Sequence, residues 1–287
     1  MRGTIVWPKE IPFKRYPSDL LDDEWEIVRP ILEKRETDQT GRPRMVDLRE
    51  VVNALLYLNK TGCPWRYLPK DFPHYCTVSY YHHKWVDHQI LEKINTEIHQ
   101  KLRVELGRNE QPSAGIIDSQ TVKGTSESAL ESGFDGGKLI QGRKRHIVVD
   151  TIGYLIVARV HVASIYDGHA AYFVLSVLFL MMNTIQKILA DGAYNSTFLI
   201  EWAKQQFSCV IEIVRKDKMA QGFHVLPRRC VVERTFAWLG RYRRLNRDYE
   251  RKPTSSEGHV YLASIRLMLR RIHKERSLLE DDLLQAA

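Results

Sequence analysis

From Gly115 onward, short β-branched runs alternate with stretches of helical spacing, and this alternation restricts the fold more than any other feature of the chain. Gly115–Val122 (GIIDSQTV), Arg143–Asp150 (RKRHIVVD) and Tyr154–Ala163 (YLIVARVHVA) read as three strands. Thr151-Ile152-Gly153 leaves room only for a tight turn, so the second and third strands form an antiparallel hairpin. An apolar helix follows near Gly168–Met182, then a strand Ile185–Ala190, a helix around Ser196–Phe207 and a strand Cys209–Val214. A loop rich in Lys and Gly leads to a last helix, Arg228–Leu245. The order βββαβαβα contains both hairpin and crossover connections, which implies an α/β domain with a mixed sheet and helices on both faces. The glycine-rich segment Lys123–Gly142 is expected to be mobile and to order on a ligand.

The first 110 residues follow a different pattern. Leu20, Leu21, Trp25, Val28, Ile31 and Leu32 make one helical face, bent or shortened at Pro30. A second helix starts at Asp47, a cap with Glu50 three residues on, and closes at Gly62 and Pro64. Thr77 is a further cap candidate, and Ile90, Leu91, Ile94, Ile98, Leu102 and Leu106 mark a longer helix up to Gly107. Two helices joined by a tight connection, the second displaying His82, His83 and Lys84, resemble a helix-turn-helix reader of DNA. A small helical bundle without groove contact has the same spacing. His82 and His83 suit a surface or core better than a metal. The chain therefore divides into a helical domain (1–110), expected to bind DNA, an α/β domain (111–250) and a basic carboxyl-terminal helix and tail (251–287), in which one face of a helix near Ser256–Arg276 is apolar.

Charge is concentrated. Of the net +8, all lies in residues 213–287, with 17 Lys+Arg against 9 Asp+Glu, while the earlier segments balance to within one charge. The helix RRCVVERTFAWLGRYRRL places Glu233 among Arg228, Arg229, Arg234, Arg241, Arg243 and Arg244, with Arg247 just beyond. So large a surplus implies an anionic partner outside the protein, and polyphosphate is the obvious one. The plainer alternative is that Glu233 pairs with Arg229 or Arg234. The amino terminus has no run suited to a signal peptide, and Ala170–Met182, the most apolar stretch, is too short for the ~20 residues that span a bilayer. No pair of the four cysteines forms CxxC, so reduced thiols in a cytoplasmic protein are expected.

Two acids stand where acids are depleted. Asp118 interrupts a strand after Gly115-Ile116-Ile117, and Asp191 ends the strand Ile188-Leu189-Ala190. Carboxyl ends of strands are where such sheets place ligand sites. With Glu233, three convergent carboxylates would repel one another unless they held divalent cations, and hard oxygen donors suit Mg²⁺, with Mn²⁺ as a substitute. Asp150 at the hairpin and Asp167 before a helix are more simply turn formers or caps. Lys144, Arg145 and His146 could meet a DNA backbone, or lie on a solvated strand end. Trp238 suits the core better than a base-stacking platform.

Several stretches, IIDSQTVK (116–123), GRKRHIVVDT (142–151), ADGAY (190–194) and PRRCVVERTFAWLGRYRRL (227–245), resemble the DDE transposases of bacterial insertion sequences, in the insertion-sequence-five family. The front segment from YPSDLLDDEWEIVRPIL to TGCPWRYLPKDFP does too, so the likeness covers roughly Tyr16 to Arg271. The resemblance implies a ribonuclease-H-like catalytic domain, with Asp118, Asp191 and Glu233 as catalytic residues and metal ligands. Arg229 falls on the arginine of the R-x3-E signature. Leu226 and Gly240 stand where neighbouring families have Tyr and Lys, so Arg241 or Arg244 would supply the phosphate clamp. Two Mg²⁺ ions would support cutting and joining at the inverted repeats of a mobile element, on double-stranded DNA of the nucleoid, by a homodimer or higher oligomer with no membrane association. Arg229, Arg234, Arg241, Arg243, Arg244, Lys144, Arg145 and Lys84 are the expected DNA contacts. A non-cleaving regulator derived from a transposase, and a nuclease without strand joining, are the alternatives.

Overall fold

The computed structural model describes residues 16–36, 45–214 and 230–286, with side chains through residue 279. Arg228 and Arg229 lie outside the described residues. Four helices open the described chain: α1 (Asp22–Glu33), α2 (Leu48–Thr61), α3 (Tyr75–Asp87) and α4 (Ile90–Glu105). Asp47 caps α2 as its sequence implies, accepting from the Arg49 N–H at 2.8 Å. The α2–α3 link is not tight. It runs from Gly62 to His74 through a 3₁₀ turn, longer than the three or four residues of a helix-turn-helix.

The sheet then forms from β1 (Ala114–Lys123), β2 (Gly133–Asp135), β3 (Ile140–Asp150) and β4 (Leu155–Val162). After α5 (Asp167–Met181) come β5 (Lys187–Ala190), α6 (Thr197–Phe207) and β6 (Val210–Ile213). The chain closes with α7 (Cys230–Leu239) and α8 (Pro253–Ala286). Strands lie in the order β4-β3-β1-β5-β6; β3 is antiparallel to β1 and β4, while β1, β5 and β6 are parallel. This is the expected ribonuclease-H-like mixed sheet with helices on both faces.

Strand alternation separates two cores. Ile116, Ile147, Val149 and Leu155 face α1–α4, α7 and α8; Ile117, Val148, Ile156, Val157 and Ile188 face α5 and α6. The open side of β4 is covered by α8: the Ala158 N–H donates to the Tyr261 hydroxyl at 3.0 Å and the Val160 N–H to Glu257 Oε1 at 2.8 Å.

Two expectations change here. Lys123–Gly142, read as a loop, holds a 3₁₀ turn and β2, which pairs antiparallel with the start of β3. The glycines allow this close approach, since a Cβ at Gly142 would lie 1.9 Å from the Val122 carbonyl oxygen. The arginine helix is also shorter than its sequence implies. It stops at Leu239, and Arg243–Leu245 form a separate 3₁₀ turn.

Candidate active site at the carboxyl edge of the sheet

The parallel pairing of β1 with β5 matches Ala114 to Lys187, Gly115 to Ile188 and Ile116 to Leu189. Continued by two residues, that register brings Asp118 level with Asp191. Adjacent strands lie about 4.8 Å apart, so acids distant in sequence become lateral neighbours. Both line one narrow cleft with Ile116, Ala190, Val214 and Val232. Local hydrogen bonds orient each carboxylate: Asp118 Oδ1 accepts from the Ser119 N–H at 2.7 Å, and Asp191 Oδ1 from the Ala193 N–H at 2.8 Å.

The third acid comes from α7. Val232 is buried in the cleft wall and Glu233, the next residue, is exposed. The β3–β4 hairpin fixes the helix. Arg234 donates to the Ile152 carbonyl at 2.5 Å and Thr235 Oγ1 to the Gly153 carbonyl at 2.7 Å. Gly153 has φ +103, and a Cβ there would lie 3.2 Å from Thr235 Oγ1 and Arg234 Nη2, so conformation and contact both call for glycine. Among the described residues, no three His, Cys, Asp or Glu side chains are grouped so as to hold an ion. The donors fit a hard divalent cation in kind, as a carboxylate pair on the sheet; Glu233 follows Val232, a residue of the same cleft, on α7.

Beneath the two aspartates runs a buried polar chain. Tyr194, 1% exposed, ends the 3₁₀ turn that Asp191 caps, and its hydroxyl donates to His146 Nε2 at 2.8 Å. The His146 Nδ1–H points to His161 Nε2 at 3.4 Å, and the His161 Nδ1–H to the Val162 carbonyl at 3.0 Å. This direction requires neutral rings. Burial and then His161 push His146 down to about 3, and burial lowers His161. Burial, then Asp118, Asp167 and Asp191, hold the Tyr194 phenol well above its ordinary range, so it stays protonated. Because His146 pairs with Ser119 across the sheet, Tyr194 crosses beneath β1 and ties the end of β5 to β3. Ser119 Oγ in turn donates to Asp167 at 2.9 Å. Sequence reasoning gave Tyr194 and Ser119 no role and read His146 as a candidate for the DNA backbone, whereas its ring is fully buried; the one available signal was polar residues within strand or motif stretches that bury everything around them.

The expected DNA contacts divide sharply. Lys144 is 6% exposed, and its Nζ lies 3.0 Å from Asp167 and 2.9 Å from the Ile165 carbonyl. Arg145 is 1% exposed and donates to the Leu245 carbonyl at 2.5 Å. Arg244, 7% exposed, pairs with Glu250 at 2.6 Å. Lys84 pairs with the buried carboxylate of Glu36 at 2.7 Å. His82 is fully buried and stacks on His259 at 4.5 Å. These side chains are engaged within the protein: Lys144, Arg145 and Arg244 are buried, and Lys84 is half-buried. Arg234, Arg241 and Arg243 are exposed, and Trp238 is half-buried under Arg234, 4.9 Å from its ring centre. Asp150 is a turn former, as expected, with Oδ1 accepting from the N–H groups of Ile152, Gly153 and Tyr154.

Residues 20–95 match a family model described as a putative transposase of the IS4/5 family, and residues 109–269 match the transposase DDE domain. A similar solved structure is the cryo-EM piggyBac transposase synaptic complex with hairpin DNA, at 12% identity and a TM-score of 0.40 over 86% of this chain and 70% of that one. No curated protein matches the chain. Among the described residues, no helix is long and apolar enough to cross a membrane. With the transposase DDE domain model covering more than half of its length, the chain belongs to the DDE transposases.

Proposed function

We propose that Asp118, Asp191 and Glu233 are the catalytic acids of this transposase and that Mg²⁺ is the divalent ion on which its DDE domain depends. The register-level approach of Asp118 to Asp191 in a cleft walled by the first turn of α7 carries this reading. Two carboxylates from adjacent parallel strands are poor neighbours without a cation, and their rigid strand-end mounting suits ligands that must not move during reaction. When bound, divalent cations lower the pKa of an attacking water and stabilise the leaving oxygen of an in-line displacement at phosphorus.

The chain's own groups do the rest. Asp118 and Asp191 bind from the sheet floor, and Glu233 binds from the exposed lip. Arg234 flanks Glu233 and offsets phosphate charge. Tyr194 is a positioning residue, holding the Asp191 turn against β3. The substrates are the ends of a mobile element and its target, in double-stranded DNA of the bacterial cytoplasm. Two ends must be brought together, so the working form is a homodimer or larger.

The test is incubation with Mg²⁺ and a supercoiled donor carrying candidate inverted repeats. Integration products are expected from the wild type. Asp118→Asn and Asp191→Asn should bind DNA but cut at least a hundredfold more slowly. Wild-type cleavage by either variant would remove the assignment; nicking without joining would indicate a nuclease, and binding without any cleavage a regulator.

A further inference from the structure

Four cations crowd one patch of surface away from the carboxylates. Lys60 lies in the last turn of α2, Arg241 and Arg243 follow α7, and Arg270 is on α8; all four are exposed. Lys60 Nζ donates to the Arg241 carbonyl at 2.8 Å and sits 5.1 Å from the centre of the Tyr242 ring. Its pKa is lowered by partial burial and then by the nearby charges of Arg270, Arg241 and Arg243. Among the described residues, none of the four pairs with an Asp or Glu. Their neighbours differ: Arg244 has Glu250, Arg266 has Glu24 and Arg271 has Glu275.

The patch is built rigidly. Tyr242, at its centre, is 4% exposed. Gly62 closes α2 at φ +70, and a Cβ there would stand 3.0 Å from Arg243 Cβ and 3.1 Å from the Arg243 carbonyl carbon. The carboxyl end of α2 is thereby locked to the Arg243 turn. Like charges held together by packing, without a counter-ion among the described residues, gain most from a repeating external anion.

We propose that Lys60, Arg241, Arg243 and Arg270 seat the phosphodiester backbone of duplex DNA at a second contact, outside the cutting site. The proposal rests on the transposase reading and adds where the DNA runs. Six residues of α7 and the following turn put the patch about 10–15 Å from Glu233, or about three to four base pairs at ~3.4 Å each. Since Lys60 comes from the amino-terminal helices and the arginines from the carboxyl-terminal third, one stretch of backbone bridges both.

The experiment uses the full chain and a labelled duplex carrying an element end, titrated between 50 and 200 mM salt. Lys60→Gln, Arg243→Gln and the Lys60→Gln/Arg270→Gln double variant are compared with Lys84→Gln, whose lysine is already paired. Each lost phosphate contact should lower the slope of log affinity against log salt by about 0.9, and melting temperatures should stay near wild type because the groups are exposed. Neutral methylphosphonate linkages three or four pairs from the cut position should weaken wild-type binding and leave the double variant unaffected. Wild-type slope and affinity in the patch variants would overturn the proposal while sparing the transposase reading. A wild-type protein without salt-dependent DNA binding would sink both.

Discussion

Asp150 is the residue whose replacement should reach furthest from its own position. It is fully buried, and one carboxylate oxygen collects the three turn N–H groups while the other lies 2.6 Å from Arg103 and 3.1 Å from His99 on α4. Burial alone would raise its pKa; the bonds and charge of His99, the Tyr154 N–H and Arg103 instead hold it down at about 2, from 3.8. A shift of that size corresponds to about 2.5 kcal/mol of folding free energy. Asp150→Asn keeps the turn acceptor but leaves Arg103, at 6% exposure, as a buried charge without its partner, which costs about 3–5 kcal/mol. For a chain of this size that is roughly 6–10 °C in melting temperature. The pH dependence has a definite sign. A depressed carboxylate pKa contributes stability that is present above 3.8 and lost as pH falls towards 2, so the gap between wild type and variant should narrow between pH 5 and 3. The same turn supplies the Ile152 and Gly153 carbonyls that seat α7, so strand cleavage at 20 °C should fall as well. A variant that melts within about 1 °C of wild type at pH 7, or a gap that stays constant to pH 3, would refute the reasoning.

Other outcomes follow from the same structure. Tyr194→Phe keeps the ring but removes the tie to His146, and should slow cleavage about tenfold or more while costing only ~1–3 kcal/mol; His146→Gln, which offers an amide acceptor, should retain more activity than His146→Leu, and equal rates in all three would remove the positioning role. Burial raises the Glu257 carboxyl from 4.5 to about 7, so the stability it contributes is full below 4.5 and lost as pH rises through 7. Glu257→Gln should therefore gain on the wild type between pH 5 and 8, by up to about 3 kcal/mol, and identical pH–stability curves would contradict this. Chelation of divalent ions should abolish cleavage and leave duplex binding measurable by anisotropy; cleavage persisting in excess chelator would rule out the metal-dependent route.

What the sequence discloses depends on how local the cause is. The strands were legible because β-branched runs bury themselves in a sheet, and the hairpin because three residues admit only a tight turn. Asp118 and Asp191 stood out because acids in such runs are costly. Distant partnerships were not legible. Lys144, Arg145 and Arg244 look like a DNA-facing surplus until the fold brings Asp167, the Leu245 carbonyl and Glu250 to them. Arg143 shows the same effect, with its guanidinium fully buried against Asp248 and the carbonyls of Glu250 and Arg251. A charge count cannot separate such consumed cations from the group at Lys60, because the difference is set by the folded neighbours, whether Glu250 six positions from Arg244 or the Leu245 carbonyl 100 positions from Arg145. The paired strand β2 was missed for a related reason: three residues flanked by glycines carry no periodicity, and their order comes from the edge of β3.

The central claim is that Asp118, Asp191 and Glu233 share one divalent-ion site. Replacing Mg²⁺ by Fe²⁺ and triggering oxidative backbone scission at the bound ion tests it most directly, on the full chain with and without element-end DNA. The account requires cuts beside all three acids in the DNA complex, suppressed by Mg²⁺ competition and by Asp118→Asn. Scission confined to other parts of the chain, or cuts at β1 and β5 that never extend to the first turn of α7 with DNA bound, would contradict it.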